Sequence, residues 1–128
     1  MRPQYTVDAE VSFTELTDRS VQQILGLGPF GFGNPAPVLL STEVEVAGPV
    51  KFLKEGKHLM VTLRQDRRTL VCKAWNFGER AEMFEPGSPV DVLYQIEDDP
   101  GSRRRGYGSW CVSLKDVRPV NPVKKDGS

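Results

Sequence analysis

A mainly β fold is what the sequence predicts: a five-stranded Greek-key barrel with an N-terminal helix and a short helix between strands 3 and 4. Three observations carry it. Apolar residues recur at helical spacing only up to about residue 26, and beyond residue 38 they alternate at period two in short stretches. Between the two regimes, GPFGFGNPAP at 28–37 puts three glycines and three prolines into ten residues, a composition that ends one kind of structure and starts another. No strand–helix–strand rhythm recurs that would signal a parallel sheet.

The helix comes first. Ser12 with Glu15 and Ser20 with Gln23 have capping-box spacing, and Leu16, Val21, Ile24 and Leu25 fall at helical spacing, so a helix is expected over about 13–26 with a break near Thr17. Gly26 and Gly28 are expected to close it in the left-handed conformation, and Pro29 bars its extension. Phe30 and Phe32 are read as apolar pegs of the joint that follows, with Gly31 and Gly33 allowing a sharp turn. In STEVEVAGPVKFLK, Val44 and Val46 alternate with Glu43 and Glu45, which makes a half-buried strand bent at Gly48-Pro49. HLMVTLR then turns Leu59, Val61 and Leu63 inward. QDRR leads into TLVCKAWNF, a hairpin whose second strand carries Leu70, Cys72 and Ala74 on one face and Val71, Lys73, Trp75 and Phe77 on the other.

GERAEMFEPG is a short helical turn closed by Pro86-Gly87. PVDVLYQIE places Val90, Val92, Tyr94 and Ile96 on one side, and SWCVSLKDV does the same with Trp110, Val112 and Leu114. The intervening DDPGSRRRGYG is polar and glycine-rich, and the tail NPVKKDGS has no apolar face and is expected to fray. Five short strands with a helix between the third and fourth match the OB-fold better than a sandwich or a parallel sheet. The expected division is a helix and Gly/Pro joint over 1–37, the barrel over 38–120 and a flexible tail over 121–128.

At 128 residues the chain is one domain's worth, enough to bury about two-thirds of its unfolded surface without a metal or disulfide. Cys72 and Cys111 lack metal-ligand spacing and read as reduced thiols, a disulfide between neighbouring strands being the lesser alternative. No run approaches a membrane span and the N-terminus has no apolar signal core, so a cytoplasmic location is expected.

Net charge is formally zero, which argues against a strongly basic nucleic-acid binder. Its distribution says something different. Residues 1–50 carry net −4 and residues 76–99 net −6, while residues 51–75 and 100–128 carry +5 each. The fold therefore decides whether the positive segments meet.

Catalytic chemistry has no obvious home. Gly31-x-Gly33-x-x-Ala36 satisfies the dinucleotide fingerprint as a pattern, but that fingerprint needs a strand before it and a helix after it, and here a helix precedes and prolines follow. There is no nucleophile elbow, no P-loop and a single histidine, His58. Asp98-Asp99 reads as a solvated turn rather than a metal site. Binding is the stronger expectation. In an OB-fold the ligand lies across strands 2 and 3, flanked by the loops joining strands 1–2 and 4–5. The first loop carries Lys54 and Lys57, and the second carries Arg103, Arg104, Arg105 and Tyr107. Phe52 and Tyr107 are candidates for base stacking, Arg64 and Lys73 for phosphate contacts, and Trp75 for either stacking or the barrel core.

Asp8-Ala9-Glu10, Pro29 to Pro37, Trp75-Asn76-Phe77-Gly78-Glu79 and Asp116-Val117-Arg118-Pro119 together resemble the C-terminal OB region of RecJ-type exonucleases of the DHH phosphoesterase superfamily. The resemblance spans about residues 6–120, and the segment from Pro29 to Pro37 is its specific part. Trp75 stands where that family usually has phenylalanine, and Lys73 where an aliphatic residue is common. The resemblance implies a single-stranded-DNA-binding module of a 5′ to 3′ exonuclease. The family's Asp-His-His and Gly-Gly-His motifs are missing, so this chain is expected not to be an enzyme by itself. Met1 then reads as an expression start, and Mn²⁺ or Mg²⁺ is expected only in the absent catalytic domain. Implied partners are single-stranded DNA, the nuclease domains of the same parent and replication or repair proteins, with no membrane. The alternative expectation is an interdomain or protein-interaction module with little DNA contact.

Overall fold

A computed structural model of the protein describes residues 5–101 and 110–120. Among them the order is β1 (Ala9–Glu10), α1 (Asp18–Leu25), β2 (Leu39–Val46), β3 (Lys51–Leu53), β4 (His58–Gln65), β5 (Arg68–Ala74), β6 (Pro89–Asp98) and β7 (Trp110–Pro119), with 3-10 turns at Phe13–Glu15 and Gly78–Met83. The strands close on themselves: β2 pairs with both β4 and β6, β6 with β7, β7 with β5, and β5 with β4. β2 and β3 are two halves of the bent strand expected around Gly48-Pro49, since both pair with β4. Counted so, the barrel has the five strands of an OB-fold, and β1 is a two-residue addition parallel to β2. The β5–β7 pairing is also parallel, a product of barrel closure that leaves no repeating strand–helix pattern in the sequence.

The period-two pattern becomes the core. Leu59, Val61 and Leu63 of β4, Val90, Val92, Tyr94 and Ile96 of β6, and Val112 and Leu114 of β7 are all buried. Phe13, Leu16 and Val21 from the N-terminal region join the same cluster, so residues 13–21 seal the barrel. Phe13 meets Tyr94 edge-on at 6.3 Å between ring centroids. The Tyr94 hydroxyl shares a 2.7 Å hydrogen bond with Ser41 Oγ, which also donates to the Val11 carbonyl at 2.7 Å. Burial pushes the Tyr94 phenol up to about 12.

Three local expectations are corrected. The N-terminal helix breaks near Thr17 as expected, but it is Thr17 that caps α1, accepting from Ser20 N at 3.1 Å, so Ser20 is inside the helix and not its cap. Gly26 is right-handed at φ −67°, and the helix ends instead by tightening, with Leu27 N donating to Ile24 O and Gly28 N to Leu25 O. Phe32 is no peg: it is fully exposed at the tip of a tight turn, while the left-handed glycine of this stretch is Gly33 at φ +85°. The QDRR turn behaves as expected of a two-residue hairpin, with Asp66 and Arg67 both at positive φ.

Cys72 is buried, Cys111 is partly so, and both are free thiols. No helix among the described residues is long and apolar enough to cross a membrane.

Two signature segments form clasps with residues just beyond two others. Asp8 accepts from Val38 N at 2.7 Å, fixing the entry to β2. Arg80, beyond the WNFGE segment, reaches Asp116 Oδ1 at 2.7 Å and the Val117 carbonyl at 3.2 Å, with its guanidinium 4.6 Å from the Phe77 ring centroid. Partial burial raises the Asp116 carboxyl, but hydrogen bonds from Arg80 and Val117 N and the charges of Arg80 and Arg118 outweigh it and hold the group below its ordinary range.

Candidate nucleic-acid interface

Because Leu59, Val61 and Leu63 point inward, His58, Met60, Thr62 and Arg64 of β4 point out. The register then sets their neighbours. Met60 lies between Lys51 of β3 and Lys73 of β5, Thr62 lies opposite Val71, and His58 lies opposite Leu53 at the end where Trp75 follows β5. The outer surface of β4 and β5 is thus a shallow face of mixed apolar and cationic groups.

Trp75 is 41% exposed, which settles its side of the strand: it stands on the outer face with Lys73. His58 meets its ring edge-on, 4.9 Å between centroids and 81° between planes, and Lys73 Nζ lies 5.9 Å from the indole centroid. Asn76, left-handed at φ +63°, donates its N–H to His58 Nδ1 at 2.8 Å and so holds the imidazole against the tryptophan. Beyond it Gly78 N donates to the Lys57 carbonyl at 3.1 Å. A Cβ on Gly78 would sit 1.8 Å from the Gly56 carbonyl oxygen, so the main chains touch there and only glycine fits. This contact fixes the Lys54–Lys57 turn, in which Lys54, Glu55 and Gly56 all have positive φ, beside Trp75.

Acidic groups partner the cations. Lys73 Nζ is 3.6 Å from Asp99 Oδ2, with both side chains mostly covered, and Arg64 is 3.6 Å from Glu45 with both half-exposed. Asp99 is therefore part of the face and not a solvated loop tip. Arg68 lies 6.0 Å from the Trp110 ring centroid, and Trp110 Nε1 donates to Asp18 at 3.1 Å.

Of the residues singled out from sequence, Arg64, Lys73 and Trp75 share the outer face, and exposed Lys54 and Lys57 flank it. Phe52 does not join them. It pairs with Leu59, an inward position, and so faces the other way at the barrel's end, where it is 54% exposed. Arg103, Arg104, Arg105 and Tyr107 lie outside the described residues; the flanks of their segment, Asp99 and Trp110, abut Lys73 and Arg68. Sequence reasoning missed His58, whose part depends on the Asn76 backbone, and Met60 and Val71, whose outward positions the alternation did contain. Among the described residues no group of three His, Cys, Asp or Glu side chains converges as a metal ion needs.

Comparison with known proteins agrees with this architecture. Residues 7–105 match the family described as the RecJ OB domain. The single-stranded-DNA-specific exonuclease RecJ of Bacillus subtilis (strain 168) is 26% identical over 103 residues, which is 80% of this chain and 13% of that protein. The chain thus spans only a small part of that curated relative. Among solved structures, a replication protein A heterotrimer bound to ssDNA is similar with a TM-score of 0.50 and 15% identity, over 82% of this chain and 80% of that one. A chain described as an aspartyl-tRNA synthetase from Leishmania major Friedlin gives 0.58 at 13% identity, over 92% of this chain and 22% of that one. At such identities the likeness speaks for the fold alone. The barrel and the family match over most of the length converge: the chain belongs to the RecJ OB domain family.

Proposed function

We propose that this module holds single-stranded DNA across the outer face of β4 and β5 for a 5′ to 3′ exonuclease whose catalytic groups and metal ions belong to other domains of its parent. The observation that carries the reading is Trp75, half-exposed, braced by His58 and accompanied by Lys73 and the Lys54–Lys57 turn. An exposed indole offers a π-face to any base, and nearby cations meet the backbone phosphates. The named RecJ relative and the family match support the assignment to a nuclease. The work of such a module is positional: a strand held beside an active site enters it singly, and a duplex does not fit. It fits a protein acting on DNA in the cytoplasm, with replication or repair proteins as further partners.

Fluorescence anisotropy with labelled oligo-dT at stepped salt tests it. We expect dissociation constants of about micromolar or weaker, rising with salt, as for contacts dominated by phosphate. Lys73→Ala should lower the slope of log affinity against log salt by about one, since one cation leaves the interface. Salt-independent binding, or no change on substituting Arg103 to Arg105 and Lys73, would sink the reading. The pairing of Lys73 with Asp99 and Arg64 with Glu45 favours a second reading, a docking module with little DNA contact. The same titration decides between them.

A further inference from the structure

Lys73 and Arg64 project from the outer face of β4 and β5, and each is met there by a carboxylate from another element. Asp99, which follows β6, brings Oδ2 to 3.6 Å from Lys73 Nζ, with both side chains mostly covered. Glu45 of β2, the register partner of Arg64, stands 3.6 Å from its guanidinium. Neither contact is a tight hydrogen bond, whose reach ends at about 3.2 Å, so each pair is held by charge. A partner held by charge can be exchanged for another anion. Lys73 suits exchange, because its ammonium is a point charge on a flexible stem and turns from one oxygen to another without moving β5. Its Nζ is 5.9 Å from the Trp75 ring centroid, which puts the phosphate of a base stacked on that ring within reach. The rim is different: among the described residues, Lys54 and Lys57 have no carboxylate at ion-pairing distance. Open cations thus edge the face, and guarded ones lie on it.

We propose that Asp99 is a built-in competitor of DNA phosphate: its carboxylate holds the Lys73 ammonium at rest, is displaced when a strand binds, and returns as the strand leaves. The inference rests on the proposed DNA-binding reading and adds how that grip is set. At Lys73 a strand gains only the difference between a phosphate and a carboxylate, so binding is weaker and release faster than a bare lysine would give. A strand that is held while it shortens has to be let go at each step, and a returning carboxylate lowers the cost of doing so. Asp99 is in this sense a positioning residue, acting on the strand through Lys73. Glu45 does the same more weakly at Arg64, because that pair is half-exposed and salt screens it, whereas cover protects the pair of Lys73 and Asp99.

Oligo-dT affinity of the natural chain, Asp99→Asn, Lys73→Ala and the double variant, each at stepped salt, tests it. Asp99→Asn removes the charge and keeps the shape. It should bind about fivefold more tightly, mostly through slower dissociation in a stopped-flow chase with unlabelled oligo-dT. In the Lys73→Ala background the same substitution should gain less than about twofold, since the cation it guards is gone. The salt slope of Asp99→Asn should match that of the natural chain, because the same phosphate is neutralised in both. Unchanged affinity in Asp99→Asn overturns the inference. An equal gain with and without Lys73 assigns the effect to overall charge and overturns it, and weaker binding makes Asp99 a support that aims Lys73 and overturns it too. Urea unfolding reports whether each variant is folded. If Asp99→Asn is not, Glu45→Gln with and without Arg64→Ala applies the same criterion, with a gain of about twofold expected. Salt-independent binding by the natural chain sinks the DNA-binding reading, whereas salt-dependent binding that Asp99→Asn leaves unchanged sinks the competitor alone. No binding by any of these proteins overturns both.

Discussion

Trp75 and Phe32 are both exposed aromatic residues, and their surroundings are opposite. Trp75 stands on a barrel face, braced edge-on by an imidazole, with Lys73 near its ring and a lysine-bearing turn beside it. Phe32 stands at the end of a hydrogen-bonded turn, next to a groove whose described lining has carboxylates and no cation. An exposed ring among cations suits a stacked base over a phosphate chain; one beside carboxylates does not. One small barrel thus presents two exposed rings in opposite charge surroundings.

The most damaging change should fall on the Trp75 side only. Gly78→Ala brings a methyl group within 1.8 Å of the Gly56 carbonyl oxygen and must push the Lys54–Lys57 turn away. A loss of about 3 kcal/mol in urea unfolding is expected, at the upper end for overpacking, with the Gly31–Asn34 turn unchanged by NMR. A normal stability in this variant would mean that the main-chain contact does not anchor the turn.

Raising pH should undermine both surfaces together, because Tyr94 lies in the core beneath them. Its phenol, ordinarily near 10, is pushed up to about 12 by burial, so the folded state binds the proton more tightly than the unfolded chain. The stability it contributes is intact below pH 10 and is lost as pH climbs from 10 towards 12, by up to about 3 kcal/mol. Urea midpoints at pH 9 and 11, for the natural chain and for Tyr94→Phe, check it; the phenylalanine variant should show a smaller fall.

Trp75→Ala sharpens the contrast at a smaller scale. Removing one stacking platform should weaken oligo-dT binding by about 2 kcal/mol, close to thirtyfold, while the exposed position leaves the unfolding midpoint little changed. Anisotropy and denaturation on one sample separate the two effects. Phe32→Ala should do least to the isolated chain: less than about 0.5 kcal/mol in stability and no change in oligo-dT affinity. A larger destabilisation would show that the Phe32 turn packs on its own barrel.

Much of the barrel was legible in the sequence because its strands are half-buried. Val90, Val92, Tyr94 and Ile96, or Leu59, Val61 and Leu63, declare their inward face by alternation alone. Closure was not legible locally, since β5 meets β7 through only a short parallel ladder between residues distant in sequence. The site was half legible. Alternation put Lys73 and Trp75 on one face, whereas the orientation of Phe52 follows from its register with Leu59, which local spacing does not reveal. The ion pairs Lys73–Asp99 and Arg64–Glu45, and the brace of His58 on Trp75, depend on tertiary approach and leave no spacing signal. Two signature segments act as joints: Asp8 holds Val38, just past Pro37, and Asp116 holds Arg80, just past Glu79.

The Lys54–Lys57 turn is held in place by Gly78 through main-chain atoms alone. Its side chains are therefore released from any duty to the scaffold. Replacements at Lys54 and Glu55 that accept left-handed backbone, such as asparagine or aspartate, should alter the charge of the rim without moving Trp75. On the proposed reading, a lineage could tune how tightly a strand is gripped by substitutions in this one turn, while the platform beneath it stays fixed.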